Sequence, residues 1–82
     1  MNQEELKARL LSLLVRVAPE VEPDEIDPAL NFRDQVDIDS MDFLNFITAI
    51  HKQLGVNVPE VDYPQLSSLN GCLRYLEPRL GD

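Results

Sequence analysis

Apolar residues recur at helical spacing in the first stretch of the chain, where Leu6, Leu10, Leu13, Leu14 and Val17 share one face of residues 3–18. Asn2 is placed to cap that helix, with Glu5 three residues on as its capping-box partner. Pro19 should stop it, because a proline disfavours helical geometry in the residue ahead. The periodicity then breaks in "PEVEPDEIDPALNFRDQVDID", where Pro19, Pro23 and Pro28 interrupt and Ile26, Leu30, Phe32 and Val36 remain as scattered apolar anchors. That predicts a long, partly pinned loop, beyond the roughly 12–15 residues that compact domains usually allow without a functional reason. From Asp39 a helical pattern resumes and should run to about Leu54, with Gly55 as its stop. "VNVPEVDYPQL" is broken by Pro59 and Pro64 and allows one short helical turn around residues 60–63. Ser67 or Ser68 can cap a last helix with Leu69, Cys72, Leu73 and Leu76 on its apolar stripe and Pro78 as its end. Gly71 inside that helix costs about 1 kcal/mol relative to alanine. No strand-like alternation is present. The expectation is an all-α fold, a small antiparallel helical bundle of three main helices plus one short helix, with a long first loop.

Placed on a wheel at about 100° per residue, the helix from Asp39 has a single core stripe of Phe43, Phe46, Ile47, Ile50 and Leu54. Met41, Leu44 and Thr48 form a second strip beside Ser40, bordered by Asn45 and Lys52, with His51 nearby. Periodicity alone leaves two places for Met41 and Leu44. They either pack under the long loop or stay outside as a docking patch with a polar rim.

Length and charge narrow the function classes. The 82 residues make one domain, 1–82, with a modest core and no room for a separate catalytic domain. The net charge of -8 disfavours nucleic acid and anionic membranes and favours partners with basic surfaces. That charge is concentrated: Glu20, Glu22, Asp24, Glu25, Asp27, Asp34, Asp37, Asp39 and Asp42 face Arg33 as their only opposing cation, and no acid occurs from Phe43 to Asn57. The single cysteine excludes an internal disulfide framework, the opening "MNQEELKARL" lacks the pattern of a secretory signal, and no apolar run is long enough to span a bilayer. The chain is therefore expected in the cytoplasm, as a monomer.

Chemistry points to few residues. Asp37 and Asp39 fit the first and third positions of a calcium loop, but the required Gly and Glu are Asp42 and Thr48 here, so no metal site is expected. Cys72 lies on a core stripe, and His51 reads as a solvated or partner-facing imidazole. No base is placed by spacing to activate Ser40, and a serine in such a place is first of all a helix-capping residue. No catalytic residue is expected, and the protein is not expected to be an enzyme.

The stretch "DIDSMDFLNFITAIHKQLGVNVP" resembles acyl carrier proteins, whose Asp-Ser-Leu or Asp-Ser-Met motif opens the second helix. "IDPALNF" is similar to the family's segment ahead of the motif and "LSSLNGCLRYL" to its last-helix pattern, so the resemblance covers about Leu6 to Leu76. It implies that a phosphopantetheinyl transferase esterifies Ser40 with 4'-phosphopantetheine from coenzyme A, and that Asp39 supports the motif. It also implies that Met41, Asp42, Leu44, Asn45 and Thr48 meet acyl-transferring or condensing enzymes of fatty acid, polyketide or specialised lipid synthesis. Two departures stand out. Asp37 replaces the family's usual Gly, and Asn45, His51, Lys52 and Gln53 occupy a helix commonly rich in glutamates, which suggests dedicated partners. Peptidyl carrier domains share the fold but carry Gly residues ahead of the serine, absent here. The alternative is a carrier-like fold used unmodified, docking a basic partner through residues 20–48.

Overall fold

The first apolar periodicity becomes helix α1, Gln3–Val17, in the computed structural model of the chain, which describes residues 2–80. The Asn2 half of the expected capping box forms, Oδ1 accepting the Glu5 backbone N–H at 2.8 Å. Ahead of Pro19, Ala18 has left helical geometry at φ -139°, ψ 79°. Leu6, Leu10, Leu13 and Leu14 are buried, and α1 packs against the two other long helices.

The segment from Ala18 to Asp39 has more structure than a pinned loop. It holds a 3₁₀ turn at Pro23–Glu25 and a four-residue helix, α2, at Phe32–Gln35. Phe32 is buried, its ring edge-on to Phe46 at 5.5 Å, while Ile26 and Val36 are half-buried. Val21 and Ile38, absent from the expected anchors, are buried as well. Leu30 is the exception among those anchors, being 47% exposed. Its turn is closed by the Gln35 side chain instead: Oε1 accepts the Asp27 N–H at 2.8 Å and Nε2 donates to the carbonyls of Asp27 and Leu30 at 2.9 and 3.2 Å. With the turn held by a side-chain amide, the Leu30 side chain is left to solvent.

Helix α3 spans Ser40–Leu54. Gly55 ends it at φ +72°, a left-handed value that glycine adopts without steric penalty, and donates its N–H to the His51 carbonyl at 2.9 Å. Phe46, Ile47 and Ile50 are buried, with Phe43 and Leu54 half-buried on the same stripe. The next segment buries Val56 and Val58 and then forms a 3₁₀ helix, Glu60–Leu66, of seven residues, longer than the single turn the prolines suggested. Both its ends are anchored on the last helix. Leu66 is fully buried, and the Tyr75 hydroxyl donates to Asp62 Oδ2 at 2.7 Å.

Helix α4, Leu69–Arg79, is capped by Ser68 and not Ser67, with the Gly71 N–H donated to Ser68 Oγ at 3.0 Å. Pro78 does not end the helix but lies in its last turn. The hydrogen bond it removes falls on the carbonyl of Arg74, an exposed residue, while Arg79 donates to the Tyr75 carbonyl at 2.8 Å and stacks on its ring. Gly71 has a role that helix propensity does not show, because a Cβ there would collide with the backbone carbonyl of Gln65. The glycine lets the 3₁₀ helix seat directly on α4. The result is an all-α bundle without strands among the described residues, apart from an isolated bridge of Asn31 to Ser68 that ties the long segment to the start of α4.

Candidate functional site

The start of α3 is built by two aspartates. Asp39, in extended geometry at φ -105°, ψ -174°, accepts the Asp42 N–H on its side chain at 2.9 Å. Asp42 returns the bond, accepting the Asp39 N–H at 3.3 Å. This reciprocal box satisfies two of the donors that a helix leaves open at its N-terminus. It also moves Ser40 out of the capping position and into the first place of the helix proper. The Ser40 hydroxyl therefore has no capping task, and the residue is exposed. The first-turn N–H groups of Ser40 and Met41 lie at the positive end of the helix dipole, with no acceptor within the helix.

Around Ser40 the expected strip stands clear of the loop. Met41 is 64% and Leu44 40% exposed, Asn45 and Thr48 are exposed, and Asp42 is half-buried. Beside Ser40, and meeting that strip at Leu44, a cleft of about 350 Å³ opens between α2, α3 and the 3₁₀ helix, with Ser40, Phe43, Leu44, Tyr63 and Arg33 in its lining. Phe43 and Tyr63 meet edge to face at 6.3 Å, so the aromatic wall joins the Phe46 and Phe32 rings of the core. The sequence pattern does not show this cleft, because Tyr63 and Arg33 join Ser40 in its lining only through elements the prolines concealed. Val61, 82% exposed on the same 3₁₀ helix, was missed for the same reason.

The two residues set aside from chemistry sit elsewhere. Cys72 is fully buried, its Sγ donating to the Leu66 carbonyl at 3.3 Å, and burial pushes its thiol up to about 12. His51 is exposed near the far end of α3, about 16 Å along the axis from Ser40, with Nδ1 3.3 Å from the Val56 carbonyl. Neither can act as a base on Ser40. The described residues contain no group of three or more His, Cys, Asp or Glu arranged to hold a metal ion, and no helix among them is long and apolar enough to cross a membrane.

An exposed hydroxyl, unpaired first-turn amides and an open cleft suit an anionic group attached through the serine oxygen, since helix N-termini stabilise phosphate charge. The comparisons with known proteins point the same way. The family model for the phosphopantetheine attachment site matches residues 8–76. The meromycolate extension acyl carrier protein of Mycolicibacterium smegmatis is 29% identical over 76 residues, covering 93% of this chain and 76% of that one. Its namesakes in Mycobacterium leprae and Mycobacterium tuberculosis are 29% identical over 77 residues, covering 94% of this chain and 66% of theirs. The chain belongs to the acyl carrier protein family, non-catalytic carriers whose cofactor is covalently attached 4'-phosphopantetheine.

Proposed function

We propose that Ser40 is the attachment residue and that the protein, a single carrier domain over residues 1–82, presents acyl groups to the enzymes of a lipid-chain-building pathway. The observation that supports this most is the transfer of the capping role to Asp39, which leaves an exposed serine oxygen at a helix N-terminus. In the attachment step the Ser40 oxygen forms a phosphoester and displaces the nucleotide half of coenzyme A. The Ser40 proton passes to a base of the phosphopantetheinyl transferase, since Asp39 and Asp42 are committed to the capping box. When bound, the arm supplies a terminal thiol that holds an acyl group as a thioester.

Everything else falls to the chain's own residues. Asp39 fixes the serine in the first turn. Met41 and Leu44 offer apolar contact, and Asp42, Asn45 and Thr48 supply its polar rim. A face with so few acids suits dedicated acyl-transferring or condensing enzymes better than a shared set. The names of its relatives favour acyl-chain extension in lipid synthesis over polyketide assembly. We place this activity in the cytoplasm, with the protein acting as a monomer.

The test is an intact-mass measurement after incubation with coenzyme A and a transferase. Wild type should gain the mass of one phosphopantetheine and Ser40→Ala none. Wild type that stays unmodified with several transferases overturns the proposal.

A further inference from the structure

We infer that Arg33 is the residue that holds the phosphodiester charge once Ser40 is modified, a role that rests on Ser40 being the attachment residue. Arg33 and Ser40 line the same cleft, although six residues and the end of α2 separate them in the chain. Arg33 is exposed and is the only cation between Arg16 and Lys52. Modification adds a negative charge one bond beyond Ser40 Oγ, close to Asp37, Asp39 and Asp42. Without a counter-charge that phosphodiester would sit among carboxylates with only the first-turn amides and water to stabilise it.

An arginine suits the task because its planar guanidinium offers paired N–H donors that match a phosphate's oxygens. The carboxylates competing for it are Asp34 and Asp37, both exposed and solvated. The fold brings the cation into the cleft that the serine lines. Phe32, the neighbour of Arg33, is buried against Phe46 and donates its N–H to the Ser67 carbonyl at 2.7 Å, which fixes α2 at the side of the cleft. Arg33 thus has its backbone held beside the core, and its side chain is exposed, with no ion pair or hydrogen bond among the described residues. This is a positioning role for the arm, distinct from that of the docking strip, of which only Leu44 also lines the cleft.

The experiment compares unmodified and free-thiol phosphopantetheinylated protein, so that no acyl group contributes an anion. Wild type, Arg33→Gln and Arg33→Lys are melted in both forms, and the side-chain Nε–Hε resonance of Arg33 is followed by NMR. Removing Arg33 from an acidic field lowers the melting temperature of both forms. The expected result is that Arg33→Gln loses about 2–5 °C more in the modified form than in the unmodified one, an excess that fades in ~0.5 M salt. Arg33→Lys should keep most of the wild-type stabilisation, and the wild-type Nε–Hε resonance should shift on modification. Equal losses in both forms, with an unmoved resonance, overturn the role of Arg33 while leaving Ser40 as the attachment residue. A wild-type mass that never changes overturns both.

Discussion

Two serines begin helices in this protein, one register position apart, and their chemistry differs accordingly. Ser68 is the residue just outside α4, extended at φ -133°, ψ 164°, and its hydroxyl accepts the Gly71 N–H. Around it neighbouring segments engage the backbone. Ser67 accepts the Phe32 N–H, Pro28 accepts the Asn70 N–H, and Gln65 presses its carbonyl on Gly71. Ser40 stands one place further in, because Asp39 has taken the cap. Its surroundings are a cleft and an exposed apolar strip that meet at Leu44. A serine at a helix start is thus spare or committed according to the residue ahead of it. The start of α4 is closed by structure, and the start of α3 is left open for chemistry.

The largest expected contrast is between the two nucleophiles. Cys72, one turn into α4, is by nature the better one, yet burial lifts its thiol from 9.0 to about 12, which cuts its thiolate share near neutral pH about a thousandfold. Alkylation of Cys72 in the folded protein at pH 8 should run at least about 100-fold slower than in urea, as read by mass spectrometry. Because the folded pKa lies above the unfolded one, the stabilisation is complete below pH 9 and is lost as pH rises from there toward 12. Tyr75, raised above its usual 10.0 by its hydrogen bond to Asp62, adds to that loss from about pH 10 upward. An alkaline melting series should therefore fall steeply above pH 9.

Next comes Gly71→Ala. Propensity alone predicts a gain of about 1 kcal/mol, but the new methyl meets the Gln65 carbonyl, and backbone does not yield as a flexible side chain does. A net loss of about 2 kcal/mol, seen as a drop of about 10 °C in Tm, is expected. A gain in Tm would show that the 3₁₀ helix shifts easily and that the start of α4 is looser than its hydrogen bonds suggest.

The same contrast explains what could be read from the sequence. Periodicity gave the three long helices and the core stripe of α3, since burial of one face imposes the spacing directly. Gly55 and Asn2 marked ends whose geometry depends on a single residue type. The motif and the grouping of Met41, Leu44 and Thr48 on one face were equally legible, because both lie within one helix. That the strip is exposed was decided only by the fold, since periodicity allowed it to pack under the long segment. Hidden were features made by contacts distant in the chain. α2 is held by Phe32 and Gln35, the 3₁₀ helix by its seats on α4, and the cleft needs both at once. Pro64 and Pro78 misled because proline costs little where its missing bond falls on an exposed carbonyl or in a 3₁₀ turn. Gly71 looked like a defect because propensity is blind to what packs on it.

The two caps give the next smaller effects. Ser68→Ala and Asp39→Ala should each lose about 1 kcal/mol in urea unfolding, since each strips a first-turn N–H of its acceptor. Their effects on modification should differ. Ser68→Ala should be modified at the wild-type rate, whereas Asp39→Ala frays the turn that presents Ser40 and should be modified more slowly. Equal modification rates would mean that the transferase does not depend on the order of that turn.

The smallest expected effect on stability belongs to Ser40→Ala. Were Ser40 the cap, its loss would match that of Ser68→Ala at about 1 kcal/mol. In the first place of the helix, with Asp39 and Asp42 holding the box, alanine replaces an exposed hydroxyl at a position that favours it slightly. Urea unfolding of Ser40→Ala should therefore lie within about 0.5 kcal/mol of wild type, with the same m-value. A loss near 1 kcal/mol, with Asp39→Ala neutral, would reassign the cap to Ser40 and remove the distinction between the two serines. A neutral result gives the missing modification of Ser40→Ala its meaning, because a carrier that folds as well as wild type and still takes up no arm has lost only the oxygen to which the arm attaches.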